Sequence, residues 1–225
     1  MCLTVGITYY DNYDALLVNI EHYENFTDYK FVVVDDGSPI RPLRSNDVPD
    51  HWSLYRVTED VGWNNEGCRN LIAKVCETEW LCLIDIDYML KDNDMNFDEH
   101  DKDCIYFLAD IDWKYDRDDP RFNRHVRGAL FDHNEFFTTK EYFWKCGGYD
   151  ETYLGYYGRD GSLTNNPSFK YNVSEYEMIF TRNIRGKRIG RTNEERKDLL
   201  GRGHDFIDDR EHHDKKLTFP WIKIK

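Results

Sequence analysis

Trp80-Leu81-Cys82-Leu83-Ile84-Asp85-Ile86-Asp87-Tyr88-Met89 is the stretch on which the fold turns. An apolar run without helical spacing leads into two carboxylates one residue apart. That is the pattern of a strand buried on both faces that surfaces at its carboxyl end. Alternation along such a strand sends Asp85 and Asp87 to one side. Neighbouring carboxylates repel unless something positive sits between them, and a hard divalent cation meets that need through oxygen ligands. Bare Asp-x-Asp is uninformative in this chain, because it recurs at Asp92/Asp94, Asp101/Asp103, Asp110/Asp112 and Asp116/Asp118. Only Asp85/Asp87 and Asp110/Asp112 follow an apolar run; the other copies read as solvated loop.

Upstream, Leu3 to Ile7 forms a short apolar strand followed by Thr8 and Tyr10. Ala15, Leu16, Leu17, Ile20 and Tyr23 then recur at helical spacing, with Asp11 or Asn12 available as the cap. The β-branched run Phe31 to Val34 ends in Asp35-Asp36-Gly37-Ser38-Pro39, and a third strand is expected over Leu54 to Val57. A helix opening at Asn65 or Glu66 and carrying Cys68, Leu71, Ile72 and Val75 delivers the chain to the quoted strand. Strand, helix, strand, strand, helix, strand is the alternation of a parallel α/β sheet. Ligands of open sheets bind beyond the carboxyl ends of the strands. Thr8, Asp36 and Asp85/Asp87 all fall at such ends, so polar groups distant in sequence should meet in one crevice.

Downstream, Asp92 to Asp103 reads as an acidic surface excursion and Asp116 to Arg124 as a polar loop. Cys104 to Leu108 and Gly128 to Phe131 read as further strands, and Lys140 to Cys146 as a short helix. From Gly147 to Asp160 the chain carries glycines at 147, 148, 155 and 158 and tyrosines at 149, 153, 156 and 157. So much glycine is incompatible with a stable regular element; it permits tight turns and close backbone approach to a ligand. Tyrosine faces and hydroxyls suit sugar rings; the lesser alternative is a loop that simply packs over the sheet.

Composition bounds the rest. A chain of 225 residues, 40% hydrophobic and 16% aromatic, can bury a substantial core and is not disordered. A formal charge of −13 argues against nucleic-acid backbones and anionic membranes as partners. No run reaches the length of a transmembrane helix, and Met1-Cys2-Leu3 enters a strand directly without a signal peptide. None of the six cysteines shows Cys-x-x-Cys spacing. A reduced, cytoplasmic setting follows as the expectation, in which the Asn25 and Asn172 sequons carry no meaning. With no repeat and no linker, residues 1–225 are expected to form a single domain.

Taken together, Thr8-x-Tyr10, Val34-Asp35-Asp36-Gly37-Ser38, Gly67-x-Arg69-Asn70, Asp85-x-Asp87, Gly147-Gly148-Tyr149-Asp150-Glu151 and Gly155-Tyr156-Tyr157-Gly158-Arg159-Asp160 resemble the GT-A-fold glycosyltransferases. The first four blocks are similar to the inverting, family-2-type enzymes. The last two resemble the sugar-binding segment of the β-1,4-galactosyltransferases and polypeptide N-acetylgalactosaminyltransferases. The likeness covers residues 1 to 165 and lies in block order and spacing. It implies a Rossmann-like, mixed but mainly parallel sheet flanked by helices. Residues 1–90 would be the nucleotide-binding half, and 91–225 the acceptor- and sugar-binding half with a C-terminal appendage.

The resemblance also implies roles. Thr8 and Tyr10 would line the nucleoside pocket, Asp36 would bind the uracil-ribose part and Arg69 would sit near the base. Asp85 would face the ribose or the metal, and Asp87 would coordinate a cation, Mn2+ or Mg2+, on the diphosphate. Gly148 would belong to the donor-binding set, Tyr156 would stack on the sugar or acceptor, and Asp160 would be the catalytic base. His204 is the first choice to complete the metal shell, with His212 and His213 behind it. Arg159 and Gly161 stand where acidic residues are common in the family. The expected activity is transfer of a hexose or N-acetylhexosamine from a nucleotide sugar, UDP-linked by preference, to a hydroxyl of a glycan acceptor. The rival readings are a sugar nucleotidyltransferase, for which the first strand lacks a glycine-rich basic loop, and a non-catalytic carbohydrate-binding module.

Overall fold

A computed structural model describes residues 3–91, 93–110, 131–151, 163, 169–180 and 217–225. The elements follow in the order β1 (Leu3–Tyr9), α1 (Tyr13–His22), β2 (Lys30–Asp35), β3 (Trp52–Val57), α2 (Asn65–Val75), β4 (Trp80–Asp85), β5 (Tyr88–Leu90), β6 (Ile105–Asp110), β7 (Phe131–Thr139), α3 (Lys140–Lys145), β8 (Tyr171–Phe180) and β9 (Trp221–Lys223). Among the described residues the strands form one nine-stranded sheet in the order β5-β8-β6-β7-β4-β1-β2-β3-β9. The architecture is thus a mixed α/β sheet with helices packed on it.

The expected parallel half is present. β1 lies between β2 and β4, both parallel to it, so that Thr8 sits opposite Val34 on one side and Asp85 on the other. β3 extends this half, parallel to β2. Beyond it the sheet becomes mixed. β7 runs antiparallel to β4 and β6, β8 antiparallel to β5, and β9 antiparallel to β3, while β6 and β8 are parallel.

Alternation explains how these strands bury both faces. Along β2, Phe31 and Val33 join the core beneath α1, with Leu16, Trp52, Trp80 and Ile84. Val32 and Val34 join the opposite core, with Leu71 and Ile72 of α2 and Leu81 and Leu83 of β4. Gly6 marks the crossing of α2 over β1. A Cβ there would lie 2.3 Å from Ile72 Cγ2, so the helix rests directly on the strand. Of the two candidate caps for α1, Asn12 takes the role, its Oδ1 accepting from Ala15 N at 3.4 Å. Asp11, in the left-handed region at φ 47°, accepts from Arg41 N at 2.7 Å and ties down the loop after β2.

One expectation about the quoted stretch fails. β4 stops at Asp85, and Ile86 and Asp87 form a turn before β5. Asp85 and Asp87 therefore do not share a strand. The cause is the ladder: β1 pairs with β4 only as far as Asp85, and β7 only as far as Leu83. The chain then crosses from this central strand to β5 at one margin of the sheet. So short a link reaches that margin only if the sheet curls back beside the end of β4. Gly128 to Leu130, Asp116 to Arg124 and Asp112 lie outside the described residues.

Candidate functional site

The carboxyl ends of β1, β2 and β4 do meet, and the first turn of α2 closes over them. Thr8 Oγ1 donates to Asn65 Oδ1 at 2.6 Å, and Asn65 Nδ2 donates to Asp85 Oδ1 at 3.4 Å. Arg69 Nη2 reaches the same Oδ1 at 2.6 Å. Both donors fall on one oxygen of Asp85; among the described residues no hydrogen bond reaches Oδ2. The side chain is 30% exposed, so Oδ2 is the oxygen available to the crevice.

Asp35 and Asp36 divide their work. Asp35 is fully buried and accepts from Ser38 N, Leu43 N and Arg56 Nε at 3.0, 2.8 and 3.1 Å, which organises the loop leaving β2. Asp36 turns to α2 instead, its Oδ2 accepting from Asn64 N at 3.1 Å. Gly37, at φ +66°, lets that loop pass against the chain at Glu59, whose carbonyl oxygen a Cβ would approach to 2.6 Å. The Tyr10 hydroxyl donates to Asp60 Oδ2 at 3.1 Å. Thr8, Asp36 and Asp85 thus lie side by side at the ends of β1, β2 and β4, while Asp87 falls in the turn beyond β4.

Arg69 has a different place from the one expected. It is 1% exposed and lies under Asp85, bonded to Tyr149 Oη at 3.0 Å and to Asn134 O as well. Its charge acts on Asp85 and Glu135 rather than on a base at the surface. Burial alone would push the guanidinium pKa down; the Tyr149 hydroxyl and the Asp85 and Glu135 carboxylates outweigh it and hold the pKa well above its ordinary value. Glu135, fully buried on β7, accepts from Asp85 N at 3.4 Å. A carboxylate inside the run Asn134-Glu135-Phe136-Phe137 is the sequence signal by which Glu135 could have been found, since glutamate is rarely buried without a partner. Asn65 offered no comparable signal.

Gly147 and Gly148 turn the chain at φ 91° and 64°, and a Cβ on Gly148 would lie 2.8 Å from Asn70 Oδ1 and 2.9 Å from Trp144. Asn70 holds Tyr149 by both backbone groups, accepting from its N at 2.9 Å and donating to its O at 3.0 Å. Tyr149 is fully buried. The first glycine-rich block therefore packs against α2, where positive φ and close approach serve the turn.

Asp87 sits half-buried in the turn after β4. Among the described residues no group of three or more His, Cys, Asp or Glu is placed to hold a metal ion. Tyr156, Asp160 and His204 lie outside the described residues. In the described residues no helix is long and apolar enough to cross a membrane.

No protein-family model and no curated protein matches the chain. Among solved structures it is similar to a galactosyltransferase, LgtC, in complex with donor and acceptor sugar analogs. The identity is 14% and the TM-score 0.40, over 75% of this chain and 72% of that one. An active-site mutant of LgtC is similar at the same identity and TM-score, over 88% of this chain and 82% of that one. Likeness of this depth does not specify an activity.

Proposed function

We propose that the chain is a glycosyltransferase moving a hexose or N-acetylhexosamine from a nucleotide sugar, UDP-linked by preference, to a sugar hydroxyl. The supporting observation is the meeting of Thr8, Asp36 and Asp85 at the carboxyl ends of three adjacent strands, in the block order of the GT-A enzymes. Tyr10 and Asp36 border the space for the nucleoside. Asp85, oriented by Asn65 and Arg69, offers Oδ2 to the donor side of the crevice. A divalent cation, Mn2+ or Mg2+, held by Asp85 and Asp87 would stabilise charge building on the diphosphate as a Lewis acid. His204 is proposed as a third ligand and Tyr156 as the surface on which the sugar or acceptor stacks. Asp160 is proposed to take the acceptor hydroxyl's proton, so that attack opposite the leaving group inverts the anomeric centre.

Calorimetric titration with UDP, with and without Mn2+, tests this reading. Metal-dependent binding is expected in the wild type and lost in Asp87→Ala. Asp160→Asn is expected to bind donor and fail in transfer; full turnover would remove it as the base. The released product should be nucleoside diphosphate. Pyrophosphate would indicate nucleotidyl transfer, and glycan binding without any UDP binding a carbohydrate-binding module.

A further inference from the structure

The segment beginning at Leu217 is fastened before it becomes β9, and the fastening leads back to the crevice. Glu151, 6% exposed, accepts from Leu217 N at 2.7 Å on Oε1. Its Oε2 accepts from Thr218 N at 2.9 Å and Thr218 Oγ1 at 3.2 Å. The same Oε1 accepts from Asn70 Nδ2 of α2 at 2.8 Å. Both carboxylate oxygens are thus engaged within the protein. Leu217 stands at φ 57°, a region a branched side chain occupies only when its surroundings hold it there.

Phe219, 4% exposed, lays its ring on the first turn of α2. A Cβ on Gly67 would lie 2.5 Å from Phe219 Cε1. Gly67 stands between Asn65 and Arg69, the two residues that hold Asp85 Oδ1. Asn70, which follows them, is the residue Glu151 grips.

We propose that Phe219 and Glu151 are positioning residues. By pressing on Gly67 and holding Asn70, the 217–219 segment fixes the first two turns of α2 and, through Asn65 and Arg69, the orientation of Asp85 in the crevice. The claim about donor binding rests on the function proposed above; the claim about α2 does not.

Hydrogen exchange on the ligand-free full chain reads the positioning directly. In Phe219→Ala the amides of Cys68 to Leu71 should exchange roughly tenfold faster than in the wild type. Phe219→Leu, which keeps a shorter apolar contact and folds if the alanine variant does not, should shift them by a smaller factor. Trp221→Ala is the control. It loosens β9 against Tyr55, whose ring centroid lies 6.0 Å away, and should leave those amides unchanged. Glu151→Gln puts an amide nitrogen against backbone donors and should release Leu217, Thr218 and Asn70 together. Unchanged exchange at Cys68 to Leu71 in both Phe219 variants would overturn the proposal. So would a response to Trp221→Ala as large as to Phe219→Ala, since that is general loosening.

In the donor arm, Phe219→Ala should weaken UDP–Mn2+ binding about fivefold in fully folded protein. Faster exchange with unchanged affinity would overturn the link to the crevice. A wild type that binds no UDP would instead defeat the glycosyltransferase reading, and the exchange result would still decide the positioning.

Discussion

Arg69 shows how one residue can be found in a sequence and misread in role. Its place in Gly67-x-Arg69-Asn70 marked it as a site residue by resemblance, but chain spacing does not reveal whether a long side chain rises to the surface or turns beneath it. Here it turns beneath, where Asp85, Tyr149 and Asn134 O accept from its two terminal nitrogens and the Glu135 carboxylate adds opposite charge. Removing one partner of a buried ion pair typically costs about 3–5 kcal/mol. Arg69→Met should fall near the low end of that range in urea unfolding, since Asp85 is partly exposed. Arg69→Lys, which keeps the charge and loses the planar fork, should cost less but not nothing. Thiols make a second residue-scale test. Burial is the first cause pushing the Cys68, Cys82, Cys104 and Cys146 thiols up, and all four side chains are buried. Alkylation of the native protein at pH 8 should be slow at these positions and become fast on denaturation.

At the scale of elements, helix α2 is the part on which packing and site depend together. Replacing an interior helical glycine with alanine ordinarily gains about 1 kcal/mol. At Gly67 the sign should reverse, because the new Cβ would meet Asn64 Oδ1 at 2.1 Å and Phe219 Cε1 at 2.5 Å. Gly67→Ala is therefore expected to lower the thermal midpoint, and a raised midpoint would show the contact to be slack. Gly6→Ala should be at least as costly, since it drives α2 off β1 at Ile72. The sequence reveals the parallel half because its signals are local: β-branched runs, Asn12 as cap, carboxylates at strand ends. The antiparallel half depends on partners far along the chain, as where Tyr88 to Leu90 find Met178 to Phe180. No local pattern could show that β4 stops between the two aspartates of Asp85-Ile86-Asp87, because the end is set by where its ladders with β1 and β7 stop.

For the whole molecule, the titration of buried phenols and thiols sets the alkaline limit. Burial, the first cause in each case, pushes Tyr29 and Tyr142 up to about 12 and raises Tyr9, Tyr23 and Tyr106 as well. In the unfolded chain thiols lose protons from about pH 8.5 and phenols from about pH 10, while the folded chain keeps them. The unfolded state then binds fewer protons, so stability is fully present below that range and falls as pH rises through it. Urea midpoints should be flat between pH 7 and 8 and decline progressively above pH 9. The last strand carries a separate consequence. Leu54 exchanges backbone hydrogen bonds with Ile224 and Lys225, and β9 pairs with Tyr55 to Val57. Without that cover, β3 would present a bare row of amides and carbonyls that a second molecule could extend. Deleting the strand should accordingly reveal itself first as turbidity that grows with protein concentration, before any cooperative melting.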